Sequence, residues 1–282
     1  MIMPAPHAPK AGRGDGAARG AAMATLPPPA NAVVPKPPQR ERRSRRRLLR
    51  KNLRNSLGDA ATFSVMVGIG ETYIPAFVLA LGLGEIAAGL ISSIPILVGA
   101  VLQLVSPRAV AWLGSNRRWV VTCVAIQAAS FLPLVAAALT GSAPAVVVFA
   151  AVSLYWAGGL GAGPAWNTWM ETVVPFRVRA PFFAMRTRMG QAGVLAGFLA
   201  GGFLLQQGKQ QGYLLWSFAL IFCVASACRF LSARFLSRQS EQTLVGKNQK
   251  RVSLWEICRR IQSGGSERLL AYFLAVQVAV QI

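Results

Sequence analysis

Residues 40–81 read RERRSRRRLLRKNLRNSLGDAATFSVMVGIGETYIPAFVLAL. From Arg40 to Arg54 the run holds nine Lys/Arg and one acid, Glu41. From 57 to 81 the only charges are Asp59 and Glu71. An α-helix rises 1.5 Å per residue, so about 20 mainly apolar residues cross a bilayer core. The stretch therefore predicts a transmembrane helix over 57–81, entered from a strongly basic flank.

The same pattern recurs along the chain. Further apolar blocks lie at 86–105, 119–139, 145–164, 189–206 and 213–231, and a last one runs from Leu269 to Ile282. With 14 residues, that last block is too short to cross upright. Composition agrees: 54% of residues are hydrophobic and 14% charged, against about 25% charged in soluble domains. Mean hydropathy is +0.44. The expected fold class is all-α: a polytopic membrane helical bundle with six complete transmembrane helices and a truncated seventh. The expected domains are a disordered and basic cytoplasmic tail (1–54), a six-helix transmembrane domain (55–231), a basic cytoplasmic linker (232–268) and the start of a seventh helix (269–282). The tail is rich in Ala, Pro and Gly up to residue 39 and lacks the apolar core of a signal peptide.

Charge placement sets the orientation. If the spans alternate, the tail, 106–118, 165–188 and 232–268 share one side, and 82–85, 140–144 and 207–212 the other. Of the 30 Lys/Arg, only Lys209 falls on the second side. Positive residues stay cytoplasmic, which puts the N-terminus inside and the chain in the cell membrane as a multi-pass protein. Arg229, at the end of the sixth block, is read as snorkelling toward the same side. The net charge of +21 is thus a topology signal and a headgroup contact, and nucleic acid is not an expected partner. The lipid bilayer is.

Ionisable residues inside a span cost about 3 kcal/mol on insertion scales and call for a reason. Asp59, one turn into the first block, reads as a hydrated carboxylate near a helix N-terminus, favoured by the macrodipole and by nearby arginines. Glu71 lies beyond the midpoint. Ser64, Gly68, Glu71 and Pro75 fall at steps of 4, 3 and 4, which places them on one small-and-polar stripe. Pro75 cannot donate to the Glu71 carbonyl, so backbone polarity is exposed beside the carboxylate. Two readings stand: a site for a proton or a cation, and a structural carboxylate packed on a neighbouring helix. Gln127 and Ser130 in the third block, with Cys123, share a face; Tyr155 and Trp156 stand near Ser153 and Gly159 in the fourth. These are candidate substrate contacts, weighed against ordinary interhelical packing. Gly190, Gly193, Gly197 and Gly201 form a seam at steps of 3, 4 and 4, which lets two backbones approach closely.

Other chemistry has little support. The one histidine, His7, lies in the tail, and Cys123, Cys223, Cys228 and Cys258 show no paired spacing. No metal and no cofactor is expected. The sequence has no HExxH, no GxSxG and no P-loop, which argues against an enzyme and against a primary pump.

The layout resembles the N-terminal half of the major facilitator superfamily over residues 52–282. In that family the connector between spans two and three reads roughly Gly-x-x-x-Asp-Arg-x-Gly-Arg-Arg. Here it is SPRAVAWLGSNRRWV. Gly114 matches the second glycine, and Arg117 and Arg118 the basic end. Ala111 stands in the place of the acid and Pro107 in that of the first glycine. A second stretch, Trp169, Glu171, Val174, Pro175, Arg177, Arg179 and Arg186, is similar to a connector in bacterial members. Leu254, Ile257, Cys258 and Ile261 would suit an interfacial helix in the central linker. The resemblance implies two six-helix halves rocking about a central site. It further implies secondary transport of a small molecule, coupled to a proton or cation, with the C-terminal half missing from this sequence. The alternative is a six-helix membrane protein acting as a homodimer or as a non-transporting scaffold.

Overall fold

Three of the spans break near a proline, whereas Pro164 and Pro181 lie inside helices that continue past them. In the computed structural model, which describes residues 39–241 and Tyr272, every described regular element is helical. Helix α1 runs Gln39–Ile69, followed by a 3₁₀ turn at Glu71–Tyr73 and α2 at Ile74–Ala80. The second span is split into α3, Glu85–Ile91, and α4, Ile94–Gln103. The third is split into α6, Asn116–Ala129, and α7, Phe131–Thr140, after a connector helix α5 at Ser106–Leu113. Pro75, Pro95 and Pro133 lack the N–H that the carbonyls of Glu71, Ile91 and Ala129 would need four residues back. Each break falls at or next to that deprived carbonyl. Three long helices complete the set: α8, Ala145–Val173, α9, Phe176–Gln210, and α10, Leu214–Ser237.

Six helical stretches among the described residues are long and apolar enough to cross a membrane: 39–80, 85–103, 116–140, 145–173, 176–210 and 214–237. All six expected spans are present, and several overrun the expected bounds. The chain divides into two units at Arg42/Arg43, and the first is described only from Gln39. Residues 39–54, assigned from the sequence to a disordered tail, are helical instead. Between Pro38 and Gly58 there is neither Gly nor Pro, and Arg, Leu and Lys are strong helix formers. Likewise 165–188 is not an open connector: α8 continues to Val173 and α9 restarts at Phe176, with only Val174 and Pro175 between. The expected linker, 232–268, starts too early, since α10 runs on to Ser237; its residues 242–268 with the apolar stripe, the expectations for 1–38 and the seventh block lie outside the described residues, Tyr272 apart.

Within residues 43–241 the packing has two apolar storeys. One is an aromatic cluster in which Phe77 meets Phe218 and Phe222, and Phe131 meets Tyr155 and Phe222, with ring centroids 4.9–5.9 Å apart. The other joins Val120, Val124, Ala162, Trp169, Met170 and Leu236. Helix α8 packs on both α4 and α6, and α10 on α6, α7 and α9. Gln127, Ser226, Arg229 and Ser232 are buried at chain positions between the two storeys.

The basic connectors meet at one end. Asn52 donates to Ser240 Oγ at 2.6 Å and accepts from the Ser240 N–H at 3.0 Å. The Trp169 indole donates to the Ser240 carbonyl at 3.3 Å. At the connector after the second span, Pro107 starts α5, Gly114 ends it with φ +65°, and Ser115 caps α6 by accepting from the Arg118 N–H at 3.0 Å. Left-handed φ favours glycine, which accounts for Gly114 at that turn. The acid lacking at Ala111 has a counterpart elsewhere. Glu241 accepts from Ser115 Oγ and from the N–H groups of Asn116, at 2.7 Å, and Arg117, at 3.2 Å. Arg117 in turn donates to the Gln239 carbonyl at 3.2 Å.

Candidate functional site

A guanidinium or carboxylate in an apolar bundle must find partners or stay wet. Here three such groups gather, and with two neutral partners they join four spans. Asp59, on α1, is 3% exposed. Its Oδ2 accepts from Arg186 of α9 at 2.6 Å and its Oδ1 from Ser232 of α10 at 2.7 Å. Arg229, one helical turn before Ser232, donates to Ser232 Oγ at 2.9 Å and through Nε to Gln127 Oε1 of α6 at 2.7 Å. The chain Arg186–Asp59–Ser232–Arg229–Gln127 therefore ties α9, α1, α10 and α6 in one polar layer. Each arginine also lies over a ring, Arg186 on Trp166 at 4.4 Å and Arg229 on Phe63 at 4.5 Å.

Glu71 sits on the broken turn of the first span. The Tyr155 hydroxyl of α8 donates to its carboxylate. Tyr155 itself is fully buried, edge-on to Phe131 at 5.2 Å and to Trp156 at 5.7 Å. Arg229 interacts electrostatically with both Asp59 and Glu71, which links this pair to the polar layer.

The residues singled out in the sequence separate into two groups. Glu71 and Tyr155 meet, with Trp156 against the tyrosine, and Gln127 joins the arginine layer. Ser130 turns its hydroxyl back onto the Gln127 carbonyl of its own helix at 2.7 Å. Ser64 faces α9, where a Cβ on Gly193 would come 3.0 Å from its own Cβ. The stripe Ser64–Gly68–Glu71–Pro75 is thus divided. Ser64 and Gly68 contact α9, Glu71 contacts α8, and the helix that would have kept them aligned ends at Ile69. A 3₁₀ turn also advances three residues per turn rather than 3.6, which shifts the azimuth. At the glycine seam, a Cβ on Gly197 would lie 2.6 Å from the Val65 carbonyl oxygen, and Gly201 is closed over by the Tyr73 ring.

Two sequence readings are corrected. Asp59 is not a hydrated carboxylate at a helix start. The helix begins at Gln39, five turns earlier, and the acid is buried in an ion pair. Arg229 does not snorkel from a helix end either: α10 continues to Ser237, and the guanidinium is held inside, 5% exposed. A signal for both was present, because two opposite charges within apolar blocks call for each other. Arg186 and Ser232 had no such signal, since both were assigned to connectors. Among the described residues no cluster of His, Cys, Asp or Glu is arranged to hold a metal, and Cys123, Cys223 and Cys228 are free.

A model of the family described as Major Facilitator Superfamily matches residues 16–185. No curated protein and no solved structure matches the chain.

Proposed function

The chain belongs to the major facilitator superfamily, a family of multi-pass membrane transporters, and from that premise we propose that it is a secondary active transporter of a small molecule in the cell membrane, with its N-terminus cytoplasmic. Glu71 is the coupling group and takes up a proton or a cation. The observation that carries this reading is the position of Glu71. A carboxylate stands at the break in the first span, half-buried, bonded by a neutral hydroxyl and within electrostatic reach of Arg229. A group so placed can exchange its charge partner when neighbouring helices move, whereas a carboxylate locked in an ion pair cannot. Tyr155, Trp156 and Gln127 are the proposed substrate contacts. Ser64 and Ser130 support the reading less, since one faces α9 and the other its own backbone.

The test is proton movement in proteoliposomes that contain the full chain and a lumenal pH dye, challenged with a panel of candidate solutes. Wild-type protein should couple one class of solute to a pH change. Glu71→Gln should reduce that flux by about tenfold or more while inserting normally. A structural carboxylate would behave otherwise, because Gln can still accept from Tyr155 and coupling would persist. Persistence of coupling in the variant would sink the assignment.

A further inference from the structure

Asp59, Arg186 and Arg229 line a cavity of about 210 Å³ whose other walls are largely apolar, among them Phe63, Val124 and Trp166. That is smaller than the roughly 300–1,000 Å³ of drug-sized pockets and leaves room for a ligand of about one ring. The wall holds two guanidiniums and one carboxylate, and both oxygens of that carboxylate are already engaged, by Arg186 and by Ser232. Arg229 is held by neutral oxygens, those of Gln127 and Ser232. Glu71 does not line the cavity. Each guanidinium carries five N–H donors in a fixed plane. Arg186 spends one on Asp59, and its buried Nε has no partner among the described atoms. Both planes are backed by a ring, so the remaining donors have a defined direction. A wall with one positive charge in excess, donors unspent and apolar flanks calls for a ligand with the complementary parts.

We propose that this cavity binds an amphiphilic organic anion, its carboxylate between Arg186 and Arg229 and its apolar body against Phe63, Val124 and Trp166. This rests on the transport reading above and names a substrate class for it, with Gln127 reaching the cavity through Arg229 and with Tyr155 and Trp156 outside its walls. Arg186 and Arg229 select for charge, and the apolar wall selects for a ring or a short chain. A neutral isostere forfeits the charge-assisted bonds and leaves a desolvated arginine unpaired.

The experiment is calorimetric titration of the purified full chain in lipid nanodiscs with benzoate and with benzamide, its uncharged isostere. Benzoate should bind at least about tenfold more tightly than benzamide. Arg229→Gln should abolish that preference. The double variant Asp59→Asn with Arg186→Gln removes one guanidinium together with its own ionic partner; the Arg229 charge remains, so the preference should weaken without vanishing. Equal affinity for the two probes, no benzoate binding to the wild type, or an unchanged preference in both variants each overturns the proposal. The two readings fail separately. Charge-selective binding without gradient-driven uptake would remove the transport reading and leave this site standing. Glu71-dependent coupled uptake of a neutral solute, with no benzoate binding, would do the reverse.

Discussion

Asp59 and Arg186 lie 127 positions apart in the chain and 2.6 Å apart in space, with side chains 4% and 17% exposed. A pair this deep is costly to break from one side. Asp59→Asn strands a guanidinium and should lower stability by about 3 kcal/mol. Thermal unfolding in detergent would register this as a clear drop in Tm. Replacing both partners, Asp59→Asn with Arg186→Gln, should recover much of the loss, because a neutral pair can still hydrogen-bond and the Arg186 charge is no longer stranded. If the double variant were no more stable than the single one, the ion pair would not be the reason for the loss. Ser232 donates a second hydrogen bond to the same carboxylate, so Ser232→Ala should cost about 1 kcal/mol.

At the level of elements, the first span and α9 are joined by absence of side chain. A Cβ on Gly68 would strike the Val194 carbonyl of α9, and one on Gly197 would lie 2.6 Å from the Val65 carbonyl and 2.9 Å from the Ile69 nitrogen. These are backbone atoms of a helix, which cannot rotate aside. Gly197→Leu should therefore separate the helices, with a loss of about 3 kcal/mol or more and poor membrane yield. Gly89→Ala in α3 is the matching control. Nothing lies within 4 Å of a Cβ there, so the change should be neutral or stabilise by up to about 1 kcal/mol through helix propensity. Equal yields of Gly197→Leu and Gly89→Ala would refute the close contact. The cap of α6 makes a second element-scale case. Ser115→Ala removes the acceptor for the Arg118 N–H and the donor to Glu241, and should cost about 1 kcal/mol.

For the whole molecule, the basic segments share one end: Asn52, Arg117, Trp169, Ser240 and Glu241 are connected there by hydrogen bonds. The proposed orientation puts this end in the cytoplasm. Reporter fusions after Asn116 and Arg177 should then report as cytoplasmic, and fusions after Thr140 and Gln210 as external. The opposite pattern would invert the topology.

The number of spans, their order and the side that gathers the arginines could be read from the chain, because each depends on local length, local hydropathy and local charge. The glycine seam was visible for the same reason, as a spacing within one helix. Helix limits were less legible. Arg-rich ends are polar enough to resemble connectors, yet they extend α1 and α9. The polar layer was decided only in three dimensions. Asp59, Gln127, Arg186 and Arg229 come from four helices, and nothing local tells Asp59 whether it meets water, a helix dipole or a guanidinium. The break at Gly70–Tyr73 is the clearest instance. Helical spacing places Ser64 and Glu71 on one face, but once the hydrogen-bond ladder stops at Ile69, close packing sends one to α9 and the other to Tyr155. Periodicity holds only while the ladder is unbroken, and which neighbour a side chain meets is set by packing between helices far apart in sequence.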